Sequence, residues 1–250
     1  MKMNILINNI VQTLKYKSNI MNSNWLSSCT KYSFDKSNFV SENTKKNQIV
    51  LHHTVGGSAE SSINTWIQDP SRICTHIVIE RDGTCYQLFP LKFWGYHLYV
   101  GEKGNKVLSK YKINATDYDK QSIGIELCSY GPLKVFSGRF CNLYNKNIPK
   151  ENVYYCDYKG YKYWEKYTIE QINALKKVLK ELLLIYPHIQ KEINFQDFNS
   201  IFNINTKALD KIPGIYSHTS YRTTKSDIYP NDDLIKMLES LKIINYANHV

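Results

Sequence analysis

Apolar residues fall along this chain in two rhythms, every second position or every third and fourth, and each change of rhythm marks an element. Ile49-Val50-Leu51-His52-His53-Thr54 is an apolar, β-branched run that stops at Gly56-Gly57, which predicts a buried strand over 48–54. Side chains alternate across a strand, so His52 and His53 face opposite ways. One can look into a site at the strand's end while the other packs behind it. Beyond the glycines, Ser58 is placed to cap a helix whose apolar face is Ala59, Ile63, Trp66 and Ile67, and Asp69-Pro70 ends it. Ile73–Glu80 and Cys85–Leu88 flank Asp82-Gly83. That is a β-hairpin signal, because glycine supplies the positive φ a tight turn needs.

Phe93–Val100 is aromatic and irregular, and 102–120 is predicted as a polar loop. Ser122–Cys128 alternates again, with Ile123, Ile125 and Leu127 on one face and Gly124 and Glu126 on the other. A lone carboxylate on the inner side of a buried strand is costly, so Glu126 needs a partner or a job. Residues 129–167 are rich in Tyr, Lys and Gly without long periodicity, which predicts an insertion of hairpins and loops. Thr168-x-x-Gln171 is a capping box. It opens the clearest helix, with Ile172, Leu175, Val178, Leu179, Leu182 and Leu183 as its core stripe, ending near Tyr186-Pro187. Residues 189–211 are predicted irregular, Ile212–Ser217 a short strand running into His218, and Asp232–Leu241 a closing helix. Residues 1–46 form an extension that can wrap the core, with one helix near Ile5–Leu14. Strands alternating with helices over some 200 residues predict one α/β domain over 47–250, a central mixed β-sheet flanked by helices.

Composition changes this picture only at the margins. The net charge of +10 draws a protein toward polyanions. No run of five basic residues and no nucleic-acid-binding motif accompanies it, so nucleic acid is not an expected partner. No segment approaches the 18 apolar residues of a membrane span, and the first residues lack the apolar core of a signal peptide. The six cysteines contain no C-x-x-C pair and are not expected to form a disulfide scaffold. Cys74, Cys85 and Cys128 lie in strand-like runs, as small buried apolar side chains do. Cys141 and Cys156 flank one polar insertion and are the pair that could join under oxidising conditions.

Three segments carry candidate chemistry: Leu51-His52-His53-Thr54, Ser122-Ile-Gly-Ile-Glu126-Leu, and His218-Thr-Ser-Tyr-Arg-Thr-Thr-Lys225-Ser-Asp227. Together with Thr75-His76-Ile-Val-Ile-Glu-Arg-Asp-Gly-Thr84 and Tyr96-His97, they resemble the type-2 zinc-dependent N-acetylmuramoyl-L-alanine amidases, a family that includes phage lysins and peptidoglycan-recognition proteins. The resemblance runs from about 47 to 242. It implies zinc held by His52, His218 and Asp227, with Glu126 as catalytic base and Lys225 stabilising the transition state. It further implies substrate contacts at His97, Tyr96 and Thr54, and bacterial peptidoglycan as substrate. Two imidazoles and a carboxylate do leave a fourth zinc position open to water. The chain departs from the family pattern in a loop one residue shorter before Lys225, in Ile228-Tyr229-Pro230 after Asp227, and in Thr75 where some members carry tyrosine. The shortened loop makes Asp232 and Asp233 the fallback ligands. His76 is expected to be structural, and His188 and His249 solvated. The implied activity is a phage-type endolysin's, in the cytoplasm of an infected bacterium or in a virion, acting on the cell wall; the net positive charge adds anionic wall polymers as expected binding partners. The alternative is a non-catalytic peptidoglycan-recognition module of the same fold.

Overall fold

The computed structural model describes residues 24–100 and 114–243; the helix expected near Ile5–Leu14 lies outside them. The ordered elements begin with a two-residue strand, β1 (Thr30–Lys31), followed by β2 (Gln48–His53), α1 (Ala59–Gln68), β3 (Ile77–Ile79) and β4 (Cys85–Gln87). Helix α2 (Ala115–Gln121) leads straight into β5 (Ser122–Leu127). The insertion supplies β6 (Pro132–Phe136), β7 (Arg139–Cys141), β8 (Asn147–Ile148), β9 (Val153–Tyr158) and β10 (Tyr161–Glu165). Then come α3 (Ile169–Ile185), α4 (Pro187–Ile193), the single turn α5 (Thr206–Leu209), β11 (Gly214–Ser217) and α6 (Asp232–Glu239).

The main sheet has the order β1-β4-β3-β5-β2-β11. The four strands β3, β5, β2 and β11 run parallel, and β4 pairs antiparallel with β3. This is the expected α/β architecture, a central mixed sheet flanked by helices. Register sets the chemistry: Gln48 pairs with Ser122, Val50 with Gly124 and His52 with Glu126. Residues paired in register share a face, so the face of Ser122, Gly124 and Glu126 is also that of His52. The opposite face carries Ile49, Leu51, Ile77, Ile79, Ile123, Ile125 and Leu127, all fully buried in one cluster with Ile172, Leu175, Val178, Leu179 and Leu182 of α3. Thr168 and Gln171 form the predicted capping box. On the site's face, Ala59 and Ile63 of α1 pack with Val78, Cys74, Leu88 and Phe89. His52, Glu126 and His218 all lie at the carboxyl ends of parallel strands, where open α/β sheets place their sites.

Several expectations are corrected. Ile67 is 44% exposed; the apolar face of α1 is Ala59 and Ile63 with Trp66 half-buried beside them, and Ile67 falls outside it. Of the polar stretch expected over 102–120, residues 102–113 lie outside the described residues, and the rest runs into α2, whose seven residues are too few to show periodicity. The stretch 189–211 contains α4, α5 and a 3-10 turn, Phe198–Phe202. The late strand starts at Gly214, because Gly214 Cα meets Gln48. Cys85 is bonded to Cys29, 56 residues away, because β1 lies beside β4 with Thr30 opposite Tyr86; Cys141 and Cys156 are free thiols. His188 is half-buried, its Nε2 donating to Lys46 O at 2.9 Å, so it is not merely solvated. The insertion does fold as hairpins, closing into a second, antiparallel sheet of order β8-β7-β6-β10-β9. It is joined to the core where Gly131 (φ +69°) runs so close to His53 that a Cβ there would lie 2.7 Å from Nε2.

Candidate metal centre

Three acceptor atoms from two remote segments, the end of β2 and the stretch after β11, meet at one point. His52 Nδ1 lies 3.1 Å from His218 Nδ1 and 3.1 Å from Asp227 Oδ2, and His218 Nδ1 lies 3.0 Å from the same carboxylate oxygen. All three residues are buried, at 2%, 5% and 9% exposure, and among the described residues they form the one His/Cys/Asp/Glu group suited to a metal. Asp232 and Asp233 are exposed on the first turn of α6, away from this point.

The surrounding hydrogen bonds decide where the imidazole protons sit. His218 Nε2 is 2.9 Å from Leu98 O. A carbonyl only accepts, so Nε2 carries the proton and Nδ1 offers a lone pair. The same logic runs through a chain to His52. Ser122 Oγ donates to Tyr118 O at 2.6 Å, so it accepts from His97 Nε2 at 2.9 Å. His97 Nδ1 is then an acceptor, taking the proton of His52 Nε2 at 3.0 Å and leaving His52 Nδ1 bare. Burial keeps His52 and His97 neutral: it pulls His52 down to about 4, with the Asp227 carboxylate opposing, and His97 well below the usual range. Burial also opposes charge on Asp227, yet His218 and His52 hold its carboxyl well below the ordinary carboxylate range. Two bare nitrogens and a carboxylate oxygen crowded at about 3 Å have nothing between them to share. Ligand atoms on a tetrahedron with bonds of about 2.0–2.1 Å sit at roughly that separation, so the donor set fits a zinc ion.

Around the three ligand atoms is a cavity of about 210 Å³ lined also by Glu126, Lys225, Thr54, Thr75 and His97. Burial raises Glu126 far above the usual range, Asp227 adds to the rise, and Lys225 opposes it; its Oε2 is buried without a hydrogen-bond partner. Two clefts lead away. One, about 470 Å³, passes Thr54 and Glu126 toward the insertion; the other, about 560 Å³, passes Tyr96, His97, His218 and Lys225. Thr54 Oγ1 accepts from Gly56 N at 3.1 Å, which fixes the turn at the foot of the first cleft. Tyr96 lines only the second, its ring edge-on to Trp94. His76 is structural, with Nε2 donating to Phe93 O and Nδ1 accepting from Gly124 N. His53 turns away from the site toward Tyr167 and Trp164.

Sequence reasoning missed the Tyr118–Ser122–His97 chain and the carboxylate of Asp119, which accepts from the backbone N–H of His97 and Leu98 at 2.9 Å each. The signal for Ser122 was present in the alternation that puts it on the face of Glu126. Nothing in the sequence shows which carbonyl a histidine will meet.

Residues 42–230 match the family model of N-acetylmuramoyl-L-alanine amidase. The chain belongs to that family, and its activity class is therefore that of a peptidoglycan amidase. No curated protein matches it. Among solved structures it is similar to PlyL (15% identity, 86% of this chain and 97% of that one, TM-score 0.46). It is similar also to a selenomethionine derivative of AmpD (16%, 89% and 98%, TM-score 0.47). A third likeness is to the N-acetylmuramoyl-L-alanine amidase LysC from Clostridium intestinale URNW (15%, 85% and 96%, TM-score 0.46).

Proposed function

We propose that His52, His218 and Asp227 hold a zinc ion, and that the protein hydrolyses the amide between the lactyl group of N-acetylmuramic acid and L-alanine. The observation that carries this reading is the meeting of three unprotonated donor atoms beside the orphaned carboxyl of Glu126. When bound, zinc supplies Lewis acidity that brings a water's pKa toward about 7. Glu126 takes the proton of the attacking water and hands it to the leaving amide nitrogen, giving a lactyl carboxylate and a free alanine amino group. Lys225 on the same cavity and the charge of a bound cation favour the ionised carboxylate that the first transfer needs. Lys225, at the rim of the same cavity, balances negative charge developing on the carbonyl oxygen. His97 orients His52 through His52 Nε2, leaving Nδ1 for the metal it would hold. Thr54 and Tyr96 are the substrate contacts, one for each cleft. Within the family we place the protein with the phage-type endolysins, and its charge of +10 suits an approach to an anionic wall.

The test pairs metal analysis with release of alanine amino termini from purified walls. We expect one zinc per chain, and a Glu126→Gln variant that keeps the metal but loses about 10²–10⁴ in kcat. Wall binding without amine release, indifferent to the Glu126→Gln change, would instead make this a recognition module.

A further inference from the structure

The cleft that leaves Glu126 between α1 and the insertion has a built far wall made of Tyr130, Asn142 and Lys146. Asn142 is 2% exposed. Its Oδ1 accepts from the backbone N–H of Tyr144 and of Lys146, at 2.9 Å each, which fixes the side chain. Its Nδ2 is buried with no partner. Burying an amide N–H₂ unpaired is costly, and an orphan that lines a cleft is one that a ligand can satisfy.

Beside it, Lys146 Nζ is 3.2 Å from Tyr130 Oη and forms no ion pair with any described carboxylate. Tyr130 is itself held from three sides. Its backbone N–H donates to Glu165 Oε2 at 2.5 Å, and the Arg81 guanidinium stacks 4.9 Å from its ring. Its hydroxyl lies over Gly57, where a Cβ would come within 3.1 Å. Arg81 in turn clamps Glu165 and the carbonyls of Gly56 and Gly57, so its charge is already committed. The wall therefore presents an ammonium and a phenol as donors, with the unpartnered Asn142 amide buried directly behind them. Among the described residues, the one carboxylate lining the cleft is Glu126 at its foot.

We infer that this wall is an anion subsite that binds a free carboxylate of the substrate's peptide stem. It selects stems whose acidic residue is unmodified over those in which it is amidated. The inference rests on the amidase reading, since it takes the stem to run from the scissile amide at Glu126 outward along the cleft. A charge-assisted contact to a carboxylate is roughly twice as strong as a neutral one, and an amide in its place offers the Lys146 ammonium only a neutral carbonyl oxygen.

The experiment compares two synthetic substrates, N-acetylmuramoyl-L-alanyl-D-glutamate and its amide, on the zinc-loaded enzyme. The acid is expected to be cleaved with kcat/KM about tenfold higher. Lys146→Ala should raise KM for the acid about tenfold, chiefly through KM and not kcat, and Lys146→Arg should recover most of it. Lys134→Ala removes one charge from an exposed position on β6 and should change neither substrate's KM. Equal KM increases for acid and amide in Lys146→Ala, or no increase for either, would overturn the subsite while leaving the amidase intact. If neither compound is cleaved, it is the amidase reading that has failed. Calorimetric binding of the two to Glu126→Gln enzyme, with and without Lys146, then decides the subsite alone: equal affinities refute it.

Discussion

What a buried histidine can ligate is settled by its far nitrogen, and here two backbone carbonyls do the settling. Leu98 O claims the Nε2 proton of His218 directly, while Tyr118 O claims that of His52 at third hand, through Ser122 and His97. If the chain sets the tautomer, cutting it at Ser122 should be felt at the metal. Ser122→Ala leaves all three ligands in place and is predicted to weaken zinc binding about 10–100-fold, measured by competition with a chelator. Thermal stability without zinc should change far less. Unaltered zinc affinity would reduce His97 to packing. The family resemblance singled out His52, His218 and Asp227 on motifs that are written locally, a strand end, a second strand end and a short spacing, and the fold brings their donor atoms together. The tautomers were illegible because they depend on Leu98 and Tyr118, which belong to neither strand.

At the scale of elements, alternation exposed β2 and β5 and the capping box exposed α3, since both patterns are local and long. The second sheet was visible only as hairpins, because its strands are short and the residues it buries, Leu133, Ile148, Tyr158 and Trp164, lie among Tyr and Lys with no long alternation. The segment before β2 shows a cost that no pattern announces. Lys46 is 1% exposed, its Nζ donating to Lys120 O at 2.8 Å, and burial pulls it down to about 7 against the opposing pull of Asp119 and Glu42. The folded state therefore gives up a proton that the unfolded state keeps up to about 10.5. Between pH 7 and 10.5 the unfolded chain binds more protons, so stability rises with pH by up to about 1.4 kcal/mol per unit. Below pH 7 the full penalty of a buried charge is present. Lys46→Met is predicted to raise Tm at pH 6–7 and to flatten Tm against pH up to 10. Lys120 O keeps a donor in Thr44 Oγ1 at 2.6 Å, so the exchange leaves no new orphan. A variant melting lower than the parent at pH 6 would contradict the buried-charge account.

For the whole molecule, two properties act across elements. The Cys29–Cys85 bond closes 56 residues and ties the amino-terminal segment to the sheet edge at β4. Chain-entropy arguments put such a loop at roughly 4 kcal/mol, or on the order of 10 °C in Tm. Reductant should lower the melting temperature of the parent and leave that of Cys29→Ser unmoved; a parent equally stable with and without reductant would show that the bond contributes nothing. The second property is the field of +10 charges. A distributed field raises encounter rates with a polyanion, and salt screens it over a Debye length of about 10 Å at 0.1 M. The chemistry at a buried centre is screened far less. Raising salt from about 10 mM to about 300 mM should therefore slow lysis of walls rich in anionic polymer about tenfold, yet change hydrolysis of a small soluble muropeptide less than twofold. Walls stripped of that polymer separate the causes, because they keep the scissile bond and lose the partner of the field. If stripped and intact walls show the same salt dependence, the positive surface is not acting on wall polymers, and the basic excess has no part in reaching the substrate.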